Sequence, residues 1–312
     1  MSANRKITIR MGGYGPATTC FSRSLKMIGD DLAAQFGDAL DIKYVYNIMD
    51  LGYRAEDILW LVEDGLLTLG YQSSSYLSNR IPEIGVADLP FLFRDNAQAR
   101  AAIDGELGAF MTEAMEANTR YRILGYFENG FRHISNRLRP VRTASGLDGM
   151  RIRVLPSDVQ AKTFALLGAA PLQCDLTEAL AGIAAGTIDA QENPLANTVT
   201  YGAHKYHRFH TLTGHFYVSR PIFLHRPTFD AWPADLQEAM RRAVAKAIAW
   251  QRGMAEQEDR EARLAIEQQG CEVAELDAAE RATFVAAVQP LLATAQASRR
   301  GEDLLTRLRA SA

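Results

Sequence analysis

The residues with the clearest capacity for chemistry are two arginines, Arg132 after Asn129-Gly130-Phe131 and Arg153 at the end of the strand-like RIRV. A guanidinium offers a planar fork of donors matched to a carboxylate, and it stays charged at any working pH. Both arginines fall at the edges of predicted elements, where a small anion could reach them. The other candidates carry less. His204, His207 and His210 recur every third residue in HKYHRFH, which invites a zinc reading. No fourth ligand stands nearby, and the interleaved Lys205, Tyr206 and Arg208 point to a solvated segment, so no metal is expected. Asp189 and Glu192 lie three apart in DAQEN and read as carboxylates closing a strand-turn. GxSxG, HExxH and a local Cys/His pairing are all missing. The glycine-rich GGYGPA follows a strand but matches neither GxGxxG nor GxxxxGK[ST]; it reads as a tight turn lining a cleft, and no cofactor is expected.

Alternating predicted strands and helices must position these groups. Lys6 to Met11 reads as a strand, Thr18 to Phe36 as a helix, Asp41 to Asn47 as a strand, Ala55 to Asp64 as a helix and Leu67 to Tyr71 as a strand. This βαβα order predicts an α/β fold with a mostly parallel sheet. Ala97 to Asn118 reads as one helix and Arg122 to Tyr126 as a strand, and a second α/β set opens near Arg132. It holds strand Met150 to Val154 and helices Ser157 to Leu167 and Thr177 to Ala185. The longest helical pattern runs from Pro233 to Gln269, about 55 Å if unbroken, with Gly253 as a kink point.

With 312 residues, the chain sits at the upper edge for a single core, which predicts two lobes with a cleft between them. The net charge of −3, without a long block of one sign, argues against a nucleic-acid partner. Cys20, Cys174 and Cys271 are odd in number and widely spaced, the pattern of packed free thiols. No run reaches the roughly 20 apolar residues of a membrane span, and MSANRKITIRMGG lacks the apolar stretch of a secretory signal.

GMRIRVLPS (Gly149 to Ser157), then GAAP (Gly168 to Pro171), Glu178, Gly186 and TIDAQENP (Thr187 to Pro194) resemble the solute-binding proteins of tripartite ATP-independent periplasmic (TRAP) transporters, the DctP-type family. LPFLF (Leu89 to Phe93), GFRHISN (Gly130 to Asn136), Gly214-His215 and WPADLQ (Trp232 to Gln237) extend the resemblance over nearly the whole chain. It implies a two-lobed clamp of the periplasmic-binding-protein kind, type II-like, with a long helix spanning both lobes. Lobe I would comprise 1–129 and about 219–255, and lobe II 130–218 and about 256–312, with the cleft and hinge between them. Arg153 matches the family's carboxylate-binding arginine, Arg132 a second cleft arginine, and Asn193 the asparagine that hydrogen-bonds the same carboxylate. Tyr14, Gln72, Ser74, Phe91, Leu176, His215 and Tyr217 are further pocket candidates. Leu176, Leu180, Ala184 and Ala190 depart from the usual family residues and make that side more apolar.

The implied function is capture of a small organic-acid anion, a monocarboxylate such as a sugar acid or an aromatic or branched acid, and its delivery to TRAP membrane subunits. The implied protein is a periplasmic monomer whose signal sequence has been removed. A competing reading is a cytoplasmic enzyme acting on a small carboxylic acid, with His215 or Glu192 as base. A third is a sensor partner that binds the same ligand and docks on a receptor.

Overall fold

The computed structural model of the chain describes residues 6–295 and 299–310. In chain order its main elements are β1 (Ile7–Gly12), α1 (Cys20–Phe36), β2 (Leu40–Val45), α2 (Ile58–Glu63), β3 (Leu69–Tyr71), α3 (Asn96–Asp104), α4 (Glu106–Asn118) and β4 (Tyr121–Asn136). There follow β5 (Arg151–Val154), α5 (Asp158–Leu166), β6 (Ala170–Gln173), α6 (Leu176–Ala185), β7 (Ala190–Asn193), α7 (Leu195–Thr200) and β8 (Phe209–His225). The chain closes with α8 (Arg226–Asp230), α9 (Ala234–Gln268), β9 (Glu272–Glu275), α10 (Ala278–Ala295) and α11 (Arg299–Ala310). None of the described helices is long and apolar enough to cross a membrane.

Two compact units form. The first takes the chain up to Ser73, Met115–Glu128 and Arg220–Glu256; the second takes Ser74–Ala114, Asn129–Ser219 and the chain from Gln257. In the first unit β1 pairs in parallel with β2 and β3, and β3 pairs antiparallel with the end of β8, Leu69 opposite Leu224. The turn after β1 needs glycine for packing: a Cβ at Gly13 would lie 2.7 Å from the Tyr71 hydroxyl and 2.8 Å from the Tyr46 carbonyl.

In the second unit β5 runs parallel between β6 and β7, and β7 pairs antiparallel with the end of β4, His133 opposite Asn193. Ile134, Ile152, Val154, Phe164, Phe216 and Phe284 are core members there, each worth about 1.5–3 kcal/mol over an exposed position. Side chains alternate between the faces of a strand. Ile152 and Val154 enter this core, so Arg153 between them faces the other way.

Capping explains several boundaries. Thr19 caps α1 by accepting from the Ser22 amide at 3.2 Å, so the helix starts at Cys20, just inside the expected Thr18. Ser157 and Asp175 cap α5 and α6, and Gly186 ends α6 in the left-handed region at φ 71°. Helix α9 covers 35 residues, about 52 Å; Gly253 lies inside it without interrupting it, and the division between units falls within it.

Three expectations need correction. Ala97–Asn118 is two helices, because the chain leaves helical geometry at Gly105 (φ −106°, ψ −136°). The strand expected at Arg122–Tyr126 extends to Asn136, carrying Arg132 inside it. HKYHRFH is not simply solvated: Lys205, Tyr206 and Arg208 are exposed, but His207 and His210 are buried. His207 sits against Ser135 (Nδ1 to Oγ, 2.9 Å), and His210 is already within β8, its Nε2 3.0 Å from the His207 carbonyl.

Candidate functional site

The second unit holds two fully buried arginines, and their surroundings differ. Arg132, on β4, is saturated by Glu192 of β7. Its Nε and Nη2 donate to the two carboxylate oxygens, and Nη2 also donates to the Glu192 carbonyl at 2.7 Å. Glu192 faces Ile134 across the strand pair, so this ion pair sits on the core side of the sheet. Burial opposes the Glu192 charge, but Arg132 overcomes it and holds the carboxyl below its ordinary range.

Arg153 has no such partner. Its Nε donates to the Cys174 carbonyl at 3.1 Å, and its Nη2 donates to the same carbonyl at 3.0 Å and to the Tyr76 hydroxyl at 3.0 Å. It is 1% exposed, and it pairs with no carboxylate among the described residues. Burial works against its charge, yet Tyr76, Glu192, Cys174 and Asp175 together raise its pKa, so the guanidinium remains a cation. A desolvated cation held only by neutral oxygens is costly until an anion meets it.

Alternation along β7 sends Gln191 and Asn193 to the face that carries Arg153, since Gln191 is its register partner. There the amides form a chain. Asn193 Nδ2 donates to Gln191 Oε1 at 3.3 Å, and Asn197 Nδ2 donates to Asn193 Oδ1 at 3.2 Å and to Asn129 Oδ1 at 2.9 Å. The Asn129 Nδ2 at the end of this chain is buried without a hydrogen-bond acceptor.

The remaining candidates fall into separate settings. In the second unit, Phe91 takes the positive φ of 54°, unusual outside glycine. Its amide donates to the His215 carbonyl at 2.8 Å, and the Arg281 guanidinium lies 4.9 Å over its ring. His215 Nδ1 is 2.6 Å from Thr213 Oγ1, and its Nε2 is 3.6 Å from Glu192 Oε2. Burial pushes its pKa down despite Glu192, so it is a neutral ring in this packing. Tyr217 packs edge-on against Phe93 and Phe131, Leu176 is the buried first residue of α6, and Ser74 is buried at the start of a 3-10 turn.

Tyr14 and Gln72 belong to the first unit. Gln72 spends its amide on nearby backbone, donating to the Ala55 carbonyl at 2.8 Å and accepting from the Ser73 amide at 2.9 Å. Tyr14 joins Phe21 and Tyr71 around the buried Arg220, whose guanidinium lies 5.0, 4.0 and 5.8 Å from the three ring centres. Sequence reading missed Arg220 and Tyr76. Arg220 had one signal, a lone cation inside the apolar run YVSRPIF; Tyr76, in SSSYLS, had none.

Among the described residues no three His, Cys, Asp or Glu side chains are grouped to hold a metal. What the described residues bring together is a charged donor, Arg153, on the face that carries the neutral amides of Gln191 and Asn193, a donor set suited to an anion. Glu192, with both oxygens taken by Arg132, is poorly placed to act as a base.

Residues 23–299 match the family model described as bacterial extracellular solute-binding protein, family 7 (DctP). A solute-binding protein of Verminephrobacter eiseniae is 30% identical over 82% of this chain and 75% of its own length. The 2,3-diketo-L-gulonate-binding periplasmic protein YiaO of Escherichia coli is 28% identical over 70% of this chain and 67% of its own. Among solved structures, a TRAP periplasmic solute-binding protein from Xanthobacter autotrophicus Py2 with bound β-D-galacturonate is similar, with a TM-score of 0.88 and 26% identity. That match covers 97% of this chain and 99% of the other.

Proposed function

The chain belongs to the family 7 bacterial extracellular solute-binding proteins, periplasmic receptors of TRAP transporters and not enzymes, and from this premise we propose that it captures a sugar-acid monocarboxylate through Arg153 and presents it, as a monomer, to TRAP membrane subunits. The observation that carries the reading is the buried Arg153 guanidinium without a carboxylate partner. Arg132 and Glu192 cancel each other, so the second unit's buried arginines leave one uncompensated positive charge. One ligand carboxylate neutralises it; a second would find no further buried arginine within that unit.

The amide face supports the sugar-acid class. Gln191, Asn193, Asn197 and Asn129 supply neutral donors and acceptors matched to hydroxyl groups, and Asn129 Nδ2 needs an acceptor oxygen. Two ligands named for relatives, 2,3-diketo-L-gulonate and galacturonate, carry one carboxylate among several oxygens, while other relatives are named for C4-dicarboxylates.

Equilibrium titration against D-galacturonate, 2,3-diketo-L-gulonate, a branched hydroxy acid, an aromatic acid and succinate tests the class. Tightest binding of one of the two sugar acids is expected, with succinate weak. Tightest binding of the branched or aromatic acid would replace the sugar-acid assignment while keeping the monocarboxylate one. Tightest binding of succinate would overturn the charge argument itself.

A further inference from the structure

We infer that Tyr76 is a positioning residue for Arg153, fixing which of its hydrogens meet the ligand carboxylate; this rests on Arg153 being the carboxylate-binding residue. A guanidinium carries five N–H hydrogens. The Nε hydrogen goes to the Cys174 carbonyl, and the two on Nη2 go to that carbonyl and to the Tyr76 hydroxyl. The hydrogens left for an anion are the two on Nη1. The Tyr76 oxygen also accepts from the Leu176 amide at 3.2 Å, so both of its lone pairs are engaged, one by β5 and one by the start of α6.

Tyr76 is itself held. It lies in the 3-10 turn Ser74–Leu77, and its neighbour Ser75 donates to Asp88 Oδ1 at 2.6 Å. Ser157, just beyond the strand of Arg153, donates to the other oxygen of Asp88 at 2.7 Å, and Gln160 Nε2 donates to Ser75 Oγ at 3.0 Å. After Tyr76, Asn79 accepts from the Asp158 amide at 3.0 Å and donates to Gln173 Oε1 at 3.1 Å. The buried Asp88 carboxylate thus ties the turn to the N-terminus of α5, and Asn79 ties it to α5 and β6. These bonds hold the phenol oxygen in register with β5. Preorganised donors bind anions better than donors that must first be ordered.

The test compares Tyr76→Phe, Arg153→Lys and the double variant with wild type by calorimetric titration of D-galacturonate, and of 2,3-diketo-L-gulonate where galacturonate gives no heat. It adds the solvent-exchange rate of the Arg153 Nε–H, read by NMR on ligand-free protein. Tyr76→Phe should bind about tenfold more weakly, the worth of one hydrogen bond to a charged group. It should have no further effect in the Arg153→Lys background, and Nε–H exchange should be faster. Unchanged affinity, the same loss in both backgrounds, or unchanged exchange would overturn the positioning role. If neither acid gives heat, the exchange rate alone decides it. Wild-type affinity in Arg153→Lys would instead overturn the underlying assignment of Arg153.

Discussion

Charge accounting decides most of what individual residues do in the second unit. Arg132 and Glu192 are both fully buried and satisfy each other, so removing one partner strands the other. Glu192→Gln should therefore lower stability by about 3–5 kcal/mol, measurable as a shift of the urea midpoint; a change within 1 kcal/mol would show that Arg132 is compensated elsewhere. Asp88 is the opposite case, a buried carboxylate satisfied by hydroxyl donors, and burial raises its pKa. An acid with a raised folded pKa contributes its full stability below the unfolded value and loses it as pH rises through the folded one. Asp88→Asn removes a contribution that favours pH 4 over pH 8, so stability at pH 8 relative to pH 4 should rise compared with wild type, and thermal melts of both proteins at both values check it; an unaltered relative stability would refute the reading. Arg132 and Arg153 were visible in the sequence as guanidinium groups at element edges, and Asn193 through the family resemblance of QENP. The sequence concealed that Glu192 occupies Arg132, because DAQEN alone does not show which strand lies beside it.

At the scale of elements, helices were more legible than strands. The starts of α1, α5 and α6 follow from Thr19, Ser157 and Asp175, local capping residues whose effect needs no distant partner. The 17-residue strand β8 left no comparable mark. Its run of HTLTGHFYVSRPIF mixes apolar and polar residues, since its pairing partners are fixed by topology and not by neighbours in sequence. The same blindness hid His207 and His210, whose burial depends on Ser135 and on β8. Burial lowers His207 to about 3 and His210 to about 4, against an ordinary 6.5. Because their folded pKa values are depressed, their contribution is complete above pH 6.5 and is lost as pH falls toward 4 to 3. By pH 5 each should have cost about 2 kcal/mol. Urea denaturation at pH 7.5 and 5.0 should show this loss, smaller in His207→Gln; an equal loss in that variant would exclude His207 as a source.

The whole molecule is a solute receptor whose family was legible in the order of its motifs from LPFLF to QENP, although no one of them was decisive. Two units were expected from length, and the long helix was visible as a periodic run that exceeds one small domain. The ligand was less legible: Gln191, Asn193, Asn197 and Asn129 meet only once β7 and α7 are placed, and Tyr76 lies outside every motif. If Arg153 meets the ligand carboxylate, titration of wild type and Arg153→Ala with the sugar acid that binds wild type most tightly will show it. Loss of roughly 2–5 kcal/mol, a weakening of about thirty-fold or more, is the predicted result. Affinity within error of wild type in folded Arg153→Ala would contradict it.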